Sequence, residues 1–231
     1  MPRAALSADE IHAFRKRAVA AATKLFADHG YEAVTMRAIA DELGTSAMAP
    51  YRYFANKAEI FALVRAEATR ALNDQQEREL YGSANVFERL VRARAAYVRF
   101  ALEYPDQYRV IFERRSEPDE AYPELLAEVQ RSIKLIGELG RLAVEAGVYA
   151  GDPVIAAHLM WAQVHGLISL HHAGRLQLGR TLEQILAESS EHFGGLKGRR
   201  PLVNMLADKR DPMTAKRAHQ RLSGKKRKSA T

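Results

Sequence analysis

Residues 35–57 read Thr35-Met36-Arg37-Ala38-Ile39-Ala40-Asp41-Glu42-Leu43-Gly44-Thr45-Ser46-Ala47-Met48-Ala49-Pro50-Tyr51-Arg52-Tyr53-Phe54-Ala55-Asn56-Lys57. Thr35 carries the short hydroxyl that suits a helix N-cap, and the apolar Val34 before it and Ile39 at the fourth helical position can staple the entry. Leu43-Gly44 closes the segment after about two turns, because glycine takes the left-handed conformation that a helix end needs. Ser46 is expected to cap a second segment running as a helix to Phe54, with Gly44-Thr45 as the joint. Pro50 makes the start of that helix irregular: at the fourth position it removes the first intrahelical bond and disfavours helical dihedrals at Ala49.

Working outward, Ser7-Ala8-Asp9-Glu10 has the spacing of a capping box, with Leu6 and Ile11 as its staple. Ile11, Phe14, Ala18, Ala21, Leu25 and Phe26 then fall on one helical face, and Gly30 supplies a stop. On the other side, Asn56-Lys57-Ala58-Glu59 is another capping box, opening a longer helix through Ile60, Val64, Ala68 and Leu72. Four helices therefore fit before Gln75. A supporting helix followed by two short helices on a glycine turn is a helix-turn-helix, whose second helix enters the major groove of DNA.

The remainder is also helical in period. Asn85 caps a helix through Phe87, Leu90, Val91, Val98 and Leu102 that stops near Tyr104-Pro105, and Asp106 to Arg115 gives a short one. Pro123 reads as the first residue of a long helix to Ala146. Asp152-Pro153 opens a helix apolar on most faces from Val154 to Leu170, and Thr181 to Phe193 makes the last. A helix of that composition is normally sandwiched in a core or an oligomer interface. No segment alternates at period two, so the fold class expected is all-α.

The 231 residues, 47% of them apolar, are enough for a proper core, and the absence of cysteine removes disulfides, thiolate zinc sites, iron–sulfur clusters and cysteine nucleophiles. The net charge of +7 is unevenly spread. Residues 1–57 hold 8 basic and 6 acidic side chains, residues 58–196 hold 15 and 20, and residues 197–231 hold 12 and 2. This division suggests a helix-turn-helix DNA-binding domain over 1–57, a mildly acidic helical body over 58–196, and a basic, disordered tail over 197–231 with at most a short helix around Leu202 to Ala207. The purely apolar runs are too short for a membrane span, and Asp9 and Glu10 argue against a secretory signal, so the expected location is the cytoplasm.

Residues 21–64 resemble the tetracycline-repressor (TetR) family of transcriptional regulators, through Ala22, Leu25, Phe26, Gly30, Tyr31, Val34, Thr35, Met36, Ile39, Ala40, Leu43 and Gly44, and then Pro50-Tyr51-x-Tyr53-Phe54-x-Asn56-Lys57-x-x-Ile60-Phe61. Further along, Tyr104-Pro105-x-x-Tyr108-x-x-x-Phe112 and Trp161-x-x-x-His165-Gly166-Leu167 are similar to the branch named for its Trp-His-Gly motif, which usually has His where this chain has Tyr104. The resemblance implies an N-terminal three-helix DNA-binding domain joined by a long helix to a C-terminal bundle for ligand binding and dimerisation. It also implies a homodimer on a palindromic double-stranded DNA operator, released by a largely apolar small-molecule effector.

The family pattern places Met36, Arg37 and the segment from Thr45 to Tyr53 at DNA, with Lys57 at a phosphate. Physical chemistry adds Thr35 and Ser46 as caps whose free helix amides suit phosphates, and the hydroxyls of Tyr51 and Tyr53 as phosphate partners. Base reading then falls to Ala47, Met48, Ala49 and Arg52, of which Arg52 alone can grip guanine with two hydrogen bonds. Phe54 and one of the two tyrosines are expected in the core instead.

In the body, Phe100, Tyr104, Tyr108, Phe112, His158, Met160, Trp161 and His165 are candidates to line an effector cavity, with ordinary core packing the alternative for each. Gly166 reads as a point of close helix approach. His158 and His165 share a helix face, but the Glu-x-x-His and His-Glu-x-x-His motifs are missing, so neither a metal nor a cofactor is expected, and no enzyme. Two rival readings stay open here: a helical-bundle enzyme or carrier with a degenerate helix-turn-helix, and a nonspecific nucleic-acid binder driven by the basic tail.

Overall fold

The protein, a computed structural model, is described over residues 7–82, 85–112 and 119–192. The expectations for the basic tail, for the Leu6 side of the first staple and for the end of the short helix beyond Phe112 lie outside the described residues. Within them the chain forms eight α-helices, two 3-10 turns and no strand.

Helix α1 (Ala8–Ala33) begins at the expected box: the Ser7 hydroxyl accepts from the Glu10 N–H at 3.2 Å, and the Glu10 carboxylate accepts from the Ser7 N–H at 2.8 Å. Gly30, with φ of 76°, breaks it before its last residues. Helix α2 (Met36–Glu42) starts at Thr35, whose hydroxyl accepts from the Ala38 N–H at 3.1 Å. It ends in a Schellman motif around Gly44, with the Gly44 N–H on the Asp41 carbonyl and the Thr45 N–H on that of Ala40.

The helix expected from Ser46 to Phe54 shrinks to a 3-10 turn, Pro50–Arg52. Pro50 has no N–H to give the Ser46 carbonyl, which takes the Ala49 N–H at 2.8 Å instead, and the bonds onward tighten to Ala49–Arg52 and Pro50–Tyr53. Ser46 thus serves the turn through its carbonyl, and its hydroxyl caps nothing. Ala49 keeps helical dihedrals despite the proline that follows.

Helix α3 (Lys57–Leu80), capped by Asn56, runs unbroken from the helix-turn-helix into the body, where it packs with α4 (Val86–Glu103), α5 (Pro105–Phe112) and α6 (Pro123–Glu145); α7 (Pro153–His172) and α8 (Leu182–His192) follow. A first core joins Phe14, Ala18 and Phe26 of α1 with Ile39, Phe54, Ile60 and Phe61, and is closed by Val110 of α5. A second gathers Leu72, Val98, Phe100, Tyr108, Ile168, Leu182 and Leu186. Between α3 and α6, buried Asn73 donates to Glu128, which also receives Arg70 Nε at 2.9 Å. Burial opposes the Glu128 charge, but the bonds from Arg70, Asn73 and Arg131 win and hold its carboxyl below the usual range.

The close approach expected at Gly166 occurs elsewhere. A Cβ on Gly166 would meet open space, whereas one on Gly140 of α6 would lie 2.2 Å from the Pro153 carbonyl oxygen and 2.7 Å from the Ala157 Cβ. Gly140→Ala is therefore expected to destabilise the fold by about 3 kcal/mol and to lower the melting temperature by about 6–12 °C in a calorimetric scan. An unchanged melting temperature would mean that α6 and α7 can part without cost.

Against the expectation that no apolar run is long enough for a membrane span, helix α7 passes by length and composition, because its few polar residues interrupt the run without lowering its mean hydropathy far. Only part of it is buried here. Val154 and Ile155 are 61% exposed, Leu159 50% and Leu170 45%, and they leave an apolar face directed away from the body.

Candidate nucleic-acid interface and ligand cavity

Of the residues expected at DNA, Thr35, Arg37, Ser46, Ala47, Met48, Tyr51 and Arg52 are exposed around the turn, and Thr45, Ala49, Tyr53 and Lys57 are half-buried. Met48 is 68% exposed. Met36 departs from expectation: it occupies the first helical position of α2 but turns its side chain into the first core, so its thioether cannot reach a base.

The two tyrosines divide as composition suggested. The Tyr53 ring stacks on Phe14 with 3.9 Å between centroids and Phe54 is buried, while Tyr51 is half exposed. Arg15 of α1, which sequence reasoning passed over as one charge on a polar face, fixes this turn. Its guanidinium donates to the Tyr53 carbonyl at 2.6 Å, lies over the Phe54 ring and pairs with Glu59. Lys57 likewise has an internal post: its ammonium donates to the Tyr31 carbonyl at 2.7 Å and sits 4.2 Å from the Tyr31 ring centre, serving the carbonyl end of α1.

A cavity of about 340 Å³ lies in the body, walled by α3, α4, α6 and α7 and by the end of α5. Its lining is mostly apolar: Leu72, Leu90, Val91, Val129, Ile133, Ile136, Leu139 and Val164 among others. Phe112, Met160 and Trp161 face it as expected. Three other candidates do not: Phe100 is fully buried in the second core, Tyr104 is 42% exposed beside it, and His158 is exposed with Nδ1 2.7 Å from its own helix's Val154 carbonyl. Phe100 packs into the second core with Tyr104 beside its ring, and His158 stands on the open face of α7.

Tyr108 and His165 stand one layer behind the wall. Trp161 Nε1 donates to the Tyr97 hydroxyl at 3.3 Å, the Tyr97 and Tyr108 hydroxyls are 3.1 Å apart, and the Tyr108 hydroxyl is 2.7 Å from His165 Nδ1. Burial pushes the Tyr97 phenol up to about 12, raises that of Tyr108 as well, and lowers His165. Both phenols therefore keep their protons, and the Tyr108 hydroxyl and Nδ1 of a neutral His165 share one hydrogen bond whose direction follows the imidazole tautomer. Sequence reasoning missed Tyr97, and with it the polar lining: Arg94, Tyr149, Gln76, and Arg65 paired with Asp119 at 2.7 Å. These residues carry no sequence mark that separates a cavity wall from a solvated face.

Two family profiles match the chain. Residues 18–64 match "Bacterial regulatory proteins, tetR family", and residues 90–193 match "Tetracyclin repressor-like, C-terminal domain". The chain belongs to the TetR family. The C-terminal match does not single out the Trp-His-Gly branch. This TetR-family protein is accordingly a DNA-binding transcriptional regulator and not an enzyme.

No curated protein sequence matches it. Among solved structures, the TetR-family transcriptional regulator PfmR from Thermus thermophilus is 24% identical, with a TM-score of 0.63 over 79% of this chain and all 100% of its own. The fatty acid degradation regulator FadR from Bacillus halodurans is 19% identical, with a TM-score of 0.64 over 80% and 97%. A protein of unknown function from Rhodococcus sp. RHA1 is 22% identical, with a TM-score of 0.66 over 84% and 96%. At these identities the likeness is one of fold.

Proposed function

We propose that this TetR-family regulator is a cytoplasmic repressor that binds a near-palindromic operator as a homodimer and releases it when a small molecule fills the cavity of its body. On this reading residues 1–57 form the DNA-binding domain and residues 58–196 the ligand-binding and dimerisation domain. Arg52, with Ala47, Met48 and Ala49, meets base edges. Thr35, Arg37, Thr45, Ser46 and Tyr51 meet phosphates, as does whatever donor capacity Lys57 and Tyr53 have left.

The observation that supports ligand control is the position of α5. Phe112 and Ile111 face the cavity, while Val110 is buried in the first core and the Arg109 guanidinium donates to the Ala27 carbonyl of α1. One short helix therefore belongs to both the effector wall and the packing of the DNA-reading domain. A ligand that favours one seating of α5 shifts the spacing of the two reading turns, by its differential affinity for the two states and no more.

The dimer is proposed through the open apolar face of α7, since operator reading by a helix-turn-helix protein calls for two-fold symmetry. Ile155 and Leu159 are its centre. Leu182 and Leu186 of α8 are each 1% exposed and pack inward, so they are not part of that face. In-vitro selection of duplexes from a random library tests the reading: the expected product is one palindromic consensus, and a library without enrichment would overturn sequence-specific control.

The basic tail, residues 197–231, is proposed to contact phosphates beside the operator. Each phosphate neutralised adds about −0.9 to the slope of log K against log salt, so deleting the tail should flatten that slope by about 2–5 units and weaken operator and random DNA alike. An unchanged slope would remove the tail from the DNA contact.

A further inference from the structure

The hydrogen bonds behind the cavity wall can run in two directions. They form three links: Trp161 Nε1 with the Tyr97 hydroxyl, the Tyr97 hydroxyl with that of Tyr108, and the Tyr108 hydroxyl with His165 Nδ1. The Trp161 end is fixed, because an indole nitrogen only donates. Each phenol donates or accepts, and His165 Nδ1 does one or the other according to which ring nitrogen carries the proton. Burial favours the neutral imidazole, which has a single N–H to place. Its other nitrogen, Nε2, lies 3.4 Å from the Ser169 hydroxyl, a group that accepts or donates equally well. Either tautomer is therefore served at that end.

Counting donors separates the two directions. With the proton on Nε2, Trp161 donates to Tyr97, Tyr97 to Tyr108 and Tyr108 to Nδ1, so three donors fill three links. With the proton on Nδ1 there are four donors for the same three links, and one phenol O–H is left over. Tyr108 stands behind the wall, whereas Tyr97 lines the cavity beside Trp161, so the surplus falls to Tyr97. The wall it shares with Val91, Phe112 and Val164 is apolar. With nothing bound, that O–H would be a buried donor without an acceptor, and the first direction prevails.

From this geometry we infer that the cavity takes a mostly apolar, neutral molecule carrying one hydrogen-bond acceptor, a carbonyl or its like, that the Tyr97 hydroxyl donates to it, and that its binding selects the His165 tautomer with the proton on Nδ1. The inference rests on the proposed reading of this cavity as the effector site. A carbonyl supplies the acceptor that the second direction lacks, whereas a molecule without one leaves the links as they stand. An ionised group would be desolvated against that apolar wall, which one neutral phenol does not offset. Aligned hydrogen bonds polarise one another, so a Tyr97 hydroxyl that receives both Trp161 and Tyr108 is a strengthened donor. No proton is gained or lost: water exchanges the one N–H of the half-buried imidazole between its nitrogens, and the phenol O–H bonds rotate without breaking. Tyr108 belongs to α5, so the reversal reaches the helix whose Val110 closes the first core.

The test uses prodan, a neutral dye with one ketone, and its propyl analogue, in which a methylene replaces the carbonyl, titrated into the full-length protein. The reporter is quenching of Trp161, the single tryptophan, which lines the cavity. Prodan is expected to bind about fivefold more tightly than the analogue, and Tyr97→Phe should abolish that preference while leaving the analogue within about twofold. Proton–nitrogen correlation NMR of the histidine rings, with His165→Gln identifying the signals, should show Nε2 protonated in the free protein and Nδ1 protonated with prodan bound. Equal binding of the two dyes, or a His165 ring that keeps its tautomer when prodan binds, would overturn the acceptor site while leaving the cavity as an effector site. Equal loss of both dyes in Tyr97→Phe would make Tyr97 structural and would overturn it as well. If that variant does not fold, the tautomer in the unaltered protein decides alone. If neither dye binds or quenches Trp161, the effector reading falls together with this one.

Discussion

Leu159→Lys is expected to turn the proposed dimer into a monomer and to weaken operator binding by on the order of 10²–10⁴-fold, because the second half-site then no longer benefits from the effective concentration that the first contact provides. Leu159 is half exposed, so the substitution removes little from the body's own core. It places a charge in the middle of a face on which Ile155 and Leu170 are also open. In an isologous interface each substitution is met twice, which makes its effect large. Sedimentation velocity reads the mass, and circular dichroism should show unchanged helix content. A dimer that persists with normal operator affinity would place the interface elsewhere.

Arg52→Ala should cost about 1–3 kcal/mol on the operator and much less on random DNA, since a two-bond contact to guanine discriminates between sequences and a phosphate contact does not. Arg52 is exposed at the end of the Pro50–Arg52 turn, with its guanidinium 6.0 Å from the Tyr53 ring centre and therefore near a platform that can orient it. Arg37→Ala, by contrast, should weaken both DNAs by the same factor. Parallel losses for Arg52→Ala would reassign it to the backbone. Paired titrations at one fixed salt concentration make the comparison, because the electrostatic share of binding depends on salt.

The helix starts were legible because caps are local chemistry. Ser7, Thr35, Asn56, Asn85 and Asp152 each hold an amide two or three residues away, and no distant contact is needed to place them. The reading helix was less legible. Pro50 announced an irregular start, but the contacts of Arg15 and Phe14 with Tyr53 join residues far apart in the chain and leave no local mark. Periodicity also shows that a residue faces something without showing what. It marked α7 as apolar on most faces, and the structure turns Val164 and Ile168 inward while Ile155 and Leu159 stay exposed.

The cavity was half legible for a related reason. Phe112, Met160 and Trp161 stand out as large side chains at helical spacing, so they could be nominated from sequence. Arg94 and Tyr149 are far apart in the chain and sit among many charged and polar neighbours. Only the register of α4 against α3, and the turn after α6, brings them to one wall.

If the proposed function holds, this fold reads one DNA sequence as a symmetric pair. Fluorescence anisotropy of the full-length protein, titrated against labelled duplex from the region flanking its own gene and against a scrambled duplex of equal length, measures this. Preference for the native duplex by about 10³-fold or more at physiological salt, with two protomers per duplex, is expected. Equal affinity for the two duplexes would contradict it and leave a protein that binds DNA through charge alone.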